Sequence, residues 1–174
     1  HEGGKAAITG NVSILAKQGG DGFADGIKLY NGGSALTING NLAMKGTGSG
    51  NDAYGVSAAQ KGGYGSTKTY QATGINIYDK DGAAFTLNGN LDMKVKGVGV
   101  DMRGSEKNAV TIAGGTIFTP DDGEEASYKA VAATSGTFAM GMNDAKTGSN
   151  GKDVVVQGTI SLGKKGTVDL GLGS

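Results

Sequence analysis

The chain contains the stretch Ile38-Asn39-Gly40-Asn41-Leu42-Ala43-Met44-Lys45, which returns almost unchanged as Leu87-Asn88-Gly89-Asn90-Leu91-Asp92-Met93-Lys94. Apolar and polar residues alternate on both sides of the central glycine, which is the pattern of a half-buried strand. Glycine favours a corner between the two halves because it tolerates backbone angles that other residues avoid. Softer copies surround Gly10, Gly115 and Gly158. A strand that keeps returning and turns at glycine predicts a chain that stacks on itself.

A second motif follows each copy of the first and consists of glycine, an apolar residue, any residue and another apolar residue. Its clear copies begin at Gly26, Gly55, Gly74 and Gly99, and degenerate versions occupy 130–133, 138–140 and 168–170. Three short strands per repeat are what a triangular β-solenoid requires. We therefore predict an all-β fold with about five to seven coils, given the usual length of solenoid repeats.

Stacking of the first motif predicts which residues point inward. One inner column is expected to contain Ile8, Ile38, Leu87, Ala113 and Val156. A second is expected to contain Val12, Leu42, Leu91, Ile117 and Ile160. The residues that follow the corner are expected to form a ladder of side-chain amides, Asn11, Asn41 and Asn90. The copy around Gly115 fits only with one extra glycine, which predicts a bulge there.

Composition limits the classes of protein that this chain can belong to. Among 174 residues there are 35 glycines, one proline and no cysteine, which excludes a disulfide framework and a thiolate metal site. The formal net charge is zero and Arg103 is the only arginine, so we expect no nucleic-acid partner. No segment approaches the roughly 20 apolar residues of a membrane helix, so we expect no membrane insertion.

Two polar segments, 59–73 and 119–127, are predicted to protrude from the stack as loops. The first carries Tyr64 and Tyr70, and inserted loops often carry binding sites, so these tyrosines are the predicted contact residues. The second carries four carboxylates that form either a solvated loop tip or a calcium loop, Asp121, Asp122, Glu124 and Glu125. We favour the solvated tip, and predict no metal and no cofactor.

Residues for catalysis are sparse. The only histidine is His1, which makes a histidine-based triad improbable. Asp101 and Arg103 are expected to point outward from the same strand as an exposed ion pair. A polysaccharide lyase or glycosidase would instead need two outward carboxylates from neighbouring coils, about 5–10 Å apart. We therefore predict that the chain is not an enzyme, with a polysaccharide-active enzyme as the alternative.

An order of apolar-x-apolar-Asn-Gly-Asn-Leu, a loop, and then Tyr-Gly-Val or Gly-Ile recurs along the chain, and the copies at 35–58 and 84–102 match it best. It resembles the passenger domains of bacterial autotransporters of the pertactin-like and self-associating adhesin kind. The resemblance implies a right-handed parallel β-helix that is exported through the outer membrane to the cell surface. It also implies that residues 1–174 are one β-helix domain, a fragment of a longer passenger without its outer-membrane barrel.

The expected function is adhesion, self-association or aggregation, since long stacked surfaces serve binding more often than chemistry. The expected partner is a receptor on a host or bacterial surface, or a second copy of the chain. A purely structural stalk is a further alternative.

Overall fold

The computed structural model describes residues 3–17, 25–30, 32–47, 61–63, 65–69, 72–95, 97–119 and 129–172. The regular structure of this part is entirely β. The strands are β1 Lys5–Thr9, β2 Val12–Lys17, β3 Asp25–Tyr30, β4 Ala35–Asn39, β5 Leu42–Thr47, β6 Lys61–Gly63, β7 Gly65–Thr69, β8 Ala72–Tyr78, β9 Ala84–Lys94, β10 Gly97–Arg103, β11 Ala109–Phe118, β12 Lys129–Met140, β13 Val154–Gln157 and β14 Ile160–Leu170. A single curled sheet contains 12 of them, while β6 and β7 form a separate antiparallel pair.

The large sheet is built from three ladders of parallel strands. The first ladder joins β1, β4, the starts of β9 and β11, and the ends of β12 and β14. The second joins β2, β5, the ends of β9 and β11, and β13. The third joins β3, β8, β10 and the starts of β12 and β14. The predicted all-β class and the parallel stacking of strands are confirmed.

The chain passes through the three ladders in a constant order, from first to second to third and back to the first. Four long strands, β9, β11, β12 and β14, bend from one ladder into the next without leaving the sheet. Each ladder therefore receives residues from segments far apart in sequence. The core lies between the ladders, where their inward side chains meet.

The inner column of the first ladder contains Ile8, Ile38 and Leu87 as predicted, but its later members differ from the prediction. Its Cα partners are Ile8, Ile38, Leu87, Ile112, Met140 and Leu170. Val156 is wrong, because its strand β13 lies in the second ladder, where Val156 pairs with Ile117. Ala113 is wrong, because Ile112 pairs with Leu87 and the corner after Ile112 is one residue shorter than the corner after Leu87. The predicted irregularity is real, but the extra residue belongs to β9 and not to β11. Gly115 allows this shortcut, since its φ is 113° and an added Cβ would lie 2.1 Å from the carbonyl oxygen of Leu91.

The second ladder has two inward columns. One contains Val12, Leu42, Leu91, Gly115 and Val154, and the other contains Ile14, Met44, Met93, Ile117 and Val156. Ile117 was predicted to lie in the first of these columns and lies in the second, because Gly115 pairs with Leu91 and not with Gly89. Ile160 was also misplaced, because Gly158 turns the chain from the second ladder into the third.

The third ladder is formed by the second motif. Its inner column contains Ile27, Ile75, Val100, Val131 and Ile160. The degenerate copies at 138–140 and 168–170 were wrongly assigned, since they pair with each other in the first ladder. The glycines of the motif make room for the second ladder: an added Cβ at Gly74 would lie 2.7 Å from Sδ of Met93.

The corner glycines of the first motif stack directly on one another. An added Cβ at Gly89 would lie 2.1 Å from the carbonyl oxygen of Gly40. The predicted asparagine ladder is present beside them, but its bonds run from backbone to side chain. The N–H of Asn41 donates to Oδ1 of Asn11, and the N–H of Asn90 donates to Oδ1 of Asn41, each over 2.9 Å.

A second, buried polar corner connects the third ladder to the first. Oδ1 of Asp79 accepts hydrogen bonds from the N–H groups of Asp81 and Gly82, at 2.7 and 3.1 Å. The side chain of Asn108 lies beside it and bonds to three backbone groups of neighbouring turns. Where the backbone turns away from the sheet, hydrogen bonds to these two side chains replace the backbone hydrogen bonds between strands.

Candidate functional site: an aromatic and charged face of the third ladder

The outward side of the third ladder carries two neighbouring tyrosines. Tyr30 pairs with Tyr78 across β3 and β8, and Tyr78 pairs with Arg103 across β8 and β10. The tyrosines are 46% and 49% exposed, and their ring centroids lie 5.6 Å apart with a tilt of 32°. A parallel ladder in register produces this arrangement, because residues at equal positions are brought about 4.8 Å apart.

A second outward row lies two residues earlier on the same strands. Lys28 pairs with Asn76, and Asn76 pairs with Asp101. The two rows together define a surface that we call the tyrosine face: Tyr30, Tyr78, Arg103, Lys28, Asn76 and Asp101.

Each tyrosine of this face has a cation beside its ring. Nζ of Lys28 lies 5.8 Å from the ring centroid of Tyr30, and Cζ of Arg103 lies 5.8 Å from that of Tyr78. At this distance a cation is attracted by the ring quadrupole. The tyrosines are therefore held by neighbours on their own sheet while a large part of their surface stays open to solvent.

Both cations also have carboxylate partners. Nζ of Lys28 lies 3.3 Å from Oδ2 of Asp25, and Arg103 binds Oδ2 of Asp101. The charges of these two pairs cancel, so the face offers charged hydrogen-bonding groups without a net charge. The predicted ion pair of Asp101 and Arg103 is present, but its predicted exposure is wrong for the carboxylate. The side chain of Asp101 is only 13% exposed.

Burial is the main influence on the Asp101 carboxyl group. It raises the pKa of Asp101 above its ordinary value, against the lowering effect of Arg103, which both attracts the carboxylate and donates a hydrogen bond to it. The charge of Asp25 adds to the increase and that of Lys129 opposes it. Asp101 is therefore easier to protonate than a carboxyl group on an open surface.

Asn76 lies at the centre of the face and has an unused acceptor. Its Nδ2 donates to Oδ1 of Asp25 over 3.0 Å, whereas its Oδ1 is buried without a hydrogen-bond partner. The residue is only 8% exposed. Buried polar atoms are nearly always paired in native proteins, so the unpaired Oδ1 of Asn76 is unusual.

An open groove adjoins the face at the side of β3. It has a volume of about 600 Å³ and is lined by Lys28 and Tyr30 on one side and by residues of β1 and β4, including Lys5 and Leu36, on the other. The groove therefore extends from Tyr30 on the third ladder to β1 and β4 on the first ladder.

The predicted contact residues lie elsewhere. Tyr64 and Tyr70, like His1 and the acidic cluster Asp121, Asp122, Glu124 and Glu125, lie outside the described residues. Within the predicted loop 59–73, the structure describes the β6–β7 hairpin and the first residues of β8. At the start of the predicted loop 119–127, Thr119 is buried and its N–H donates to the carbonyl of Gln157.

The sequence did contain a signal for the tyrosine face. Tyr30 and Tyr78 each follow the motif glycine by four residues, in Gly26-Ile27-Lys28-Leu29-Tyr30 and Gly74-Ile75-Asn76-Ile77-Tyr78. Strand alternation places the second and fourth residues after the glycine on the outward side. Aligning these two copies would have predicted both outward rows.

The described residues include no group of three or more His, Cys, Asp or Glu side chains placed to hold a metal ion. No helix within the described ranges has the length and apolar character to cross a membrane. The chain matches no protein-family model, no curated protein and no solved structure.

Proposed function

We propose that this chain is a segment of a bacterial surface passenger of the adhesin kind, and that it acts by contact and not by catalysis. The observation that carries the proposal is the tyrosine face, an exposed aromatic and charged surface on a regular sheet. The resemblance of 35–58 and 84–102 to autotransporter passengers supports export through the outer membrane and display at the cell surface.

The proposed architecture is a right-handed parallel β-helix. One strand from each ladder makes a coil, which gives five complete coils and the first strand of a sixth. The constant order of the three ladders supports this arrangement. Right-handedness follows the strong preference of parallel strands for right-handed crossovers.

A contact function suits the residues of the face. Tyrosine and arginine are enriched among the residues that dominate binding energy at interfaces. Their attachment to a sheet means that little conformational freedom is lost on binding. Many copies on one cell would make weak contacts collectively strong. The proposed partner is a receptor on a host or bacterial surface, or another copy of the chain.

The adhesion proposal is tested with beads that carry the purified chain at a controlled density. We expect the beads to attach to host cells or to one another, and a Tyr30→Ala/Tyr78→Ala double variant to lose most of this attachment. Val155→Ala is the matched control, because Val155 is also 49% exposed but lies on the second ladder. Absence of attachment and of aggregation at every density would refute the proposal.

A second candidate function, a polysaccharide-active enzyme, is favoured by one observation. Asp25 and Asp101 lie on the same outward side, and the raised pKa of Asp101 is the property that a general acid requires. Release of reducing ends or unsaturated uronates from polysaccharides, abolished by Asp101→Asn, would replace the adhesion proposal. Turnover that Asp101→Asn leaves unchanged would exclude this site as its origin.

A further inference from the structure

We propose that the tyrosine face binds a neutral saccharide chain that runs across the strands from Tyr30 toward Arg103. The inference rests on the proposed function, because it names the chemical class of the partner that the adhesin contacts.

The two tyrosines supply the apolar half of such a site. A sugar ring presents C–H groups on its faces and hydroxyl groups around its edge, so it needs an aromatic surface beside polar groups. Tyrosine offers an apolar ring with a polar end. Here the two rings lie 5.6 Å apart and each tyrosine remains about half exposed. They can contact successive units of one chain, because their spacing follows the regular spacing of the strands.

The row beside the tyrosines supplies the polar half. The carboxylate of Asp101 offers an acceptor, while Lys28 and Arg103 offer donors. Because these groups are held by their own ion pairs, they meet a ligand in fixed positions, and charge-assisted hydrogen bonds are stronger than neutral ones.

The balance of charge selects a neutral ligand. Lys28 is paired with Asp25, and Arg103 is paired with Asp101. A sulfated or uronate-containing chain would meet two carboxylates as well as two cations, and binding it would separate existing ion pairs. The groove beside Tyr30, lined on its far side by Leu36 among others, allows the chain to continue past the first tyrosine.

The experiment measures binding of the purified chain to neutral tetrasaccharides and hexasaccharides of glucose, galactose, mannose and N-acetylglucosamine, together with sulfated and uronate-containing chains of the same lengths. Titration calorimetry gives the dissociation constants. We expect at least one neutral series to bind, with hexasaccharides tighter than tetrasaccharides and the anionic chains at least tenfold weaker.

Variants assign the binding to the face. Tyr30→Ala and Tyr78→Ala should each weaken binding by tenfold or more, whereas Tyr78→Phe, which keeps the ring, should stay within about threefold. The control Val155→Ala should bind like the unaltered chain. Circular dichroism and the urea midpoint establish that each variant is folded. Binding that survives Tyr78→Ala in a folded protein would overturn the inference, as would preference for anionic chains or no binding at all.

Failure of this inference can be told apart from failure of the proposed function. Beads that attach to cells, but are not released by the neutral hexasaccharide, would leave adhesion standing and refute the saccharide. Oligosaccharide binding without bead attachment would keep the saccharide site and refute adhesion.

Discussion

Replacing Asn108 with alanine should strongly destabilise the protein. Asn108 is buried, and its Nδ2 donates to the carbonyl oxygens of Asp79 and Arg103 over 3.0 and 2.7 Å. Its Oδ1 accepts from the N–H of Ala83 over 2.8 Å. Alanine removes all three bonds and leaves the N–H of the buried Ala83 without an acceptor.

The expected magnitude follows from the number and burial of these bonds. A hydrogen bond contributes about 0.5–1.5 kcal/mol net, and a buried group left unpaired costs about 1–3 kcal/mol. The shared use of one amide makes the three bonds less than additive, so we expect a loss of about 2–4 kcal/mol. At about 2–4 °C per kcal/mol for a protein of this size, the melting temperature should fall by roughly 5–15 °C.

The measurement is urea unfolding, monitored by far-ultraviolet circular dichroism. The urea midpoints are compared between variants that have the same dependence of unfolding free energy on urea concentration. Asn88→Ala is the matched control, because Asn88 is exposed and its Nδ2 makes one bond, to Oδ1 of Asn39. The control should lose less than about 0.5 kcal/mol. If the Asn108 variant were equal to the control within error, the buried polar corner would not support the fold as argued.

Two other predictions test the corners and the tyrosine face. Gly89→Ala should lower the urea midpoint strongly, since its Cβ would lie 2.1 Å from the carbonyl oxygen of Gly40, whereas Gly148→Ala, with its nearest atom at 3.7 Å, should change it little. Equal midpoints for these two variants would contradict stacking of the corner glycines. Burial raises the pKa of Asp101 in the folded protein above its ordinary value of 3.8. Protonation of Asp101 therefore favours the folded state, and this contribution to the free energy of unfolding is complete below pH 3.8 and is lost as the pH rises through the raised pKa. The free energy of unfolding should be measured for the unaltered protein and for Asp101→Asn from below pH 3.8 to neutrality. As the pH increases, the variant should become more stable relative to the unaltered protein, because asparagine does not ionise. A difference between the two proteins that does not depend on pH would contradict the raised pKa.

The sequence predicted the register of the first and second ladders where its two best copies lie. Ile38 and Leu87 are Cα partners, and so are Leu42 and Leu91. These copies have the same number of residues on either side of the glycine, so a direct alignment places every side chain on the correct face. The class of fold follows from this alternation together with the recurring glycines.

The prediction failed where the number of residues at a corner changes. Ile112 is followed by Ala113, Gly114 and Gly115, and either glycine could align with Gly89. The prediction aligned Gly115 with Gly89 and therefore Ala113 with Leu87, one residue away from the true partner Ile112, which assigned Ala113 to the wrong face. After the corner the error is two residues, so Ile117 stays on the inward side but pairs with Met93 and not with Leu91. Only the pairing of Ile112 with Leu87 and of Ile117 with Met93 resolves this choice.

The sequence does not predict the tyrosine face for a different reason. The segment 59–73 is too polar for a core, so its composition favours a loop and predicts Tyr64 and Tyr70 as the contact residues. Tyr30 and Tyr78 are separated by a long stretch of sequence and become neighbours only when β3 pairs with β8. The orphan acceptor of Asn76 depends on where its amide nitrogen is bound, and a sequence contains no such information.

The in-register pairing of β3 with β8 and of β8 with β10 also affects how such a surface can change in length during evolution. Each pass of the chain adds one residue to every outward row. Duplication of one complete pass would lengthen the row of Tyr30 and Tyr78 by about 4.8 Å while keeping all other rows in phase. Proteins of different length descended from one gene would then present the same chemical pattern, extended or shortened in whole steps of one pass.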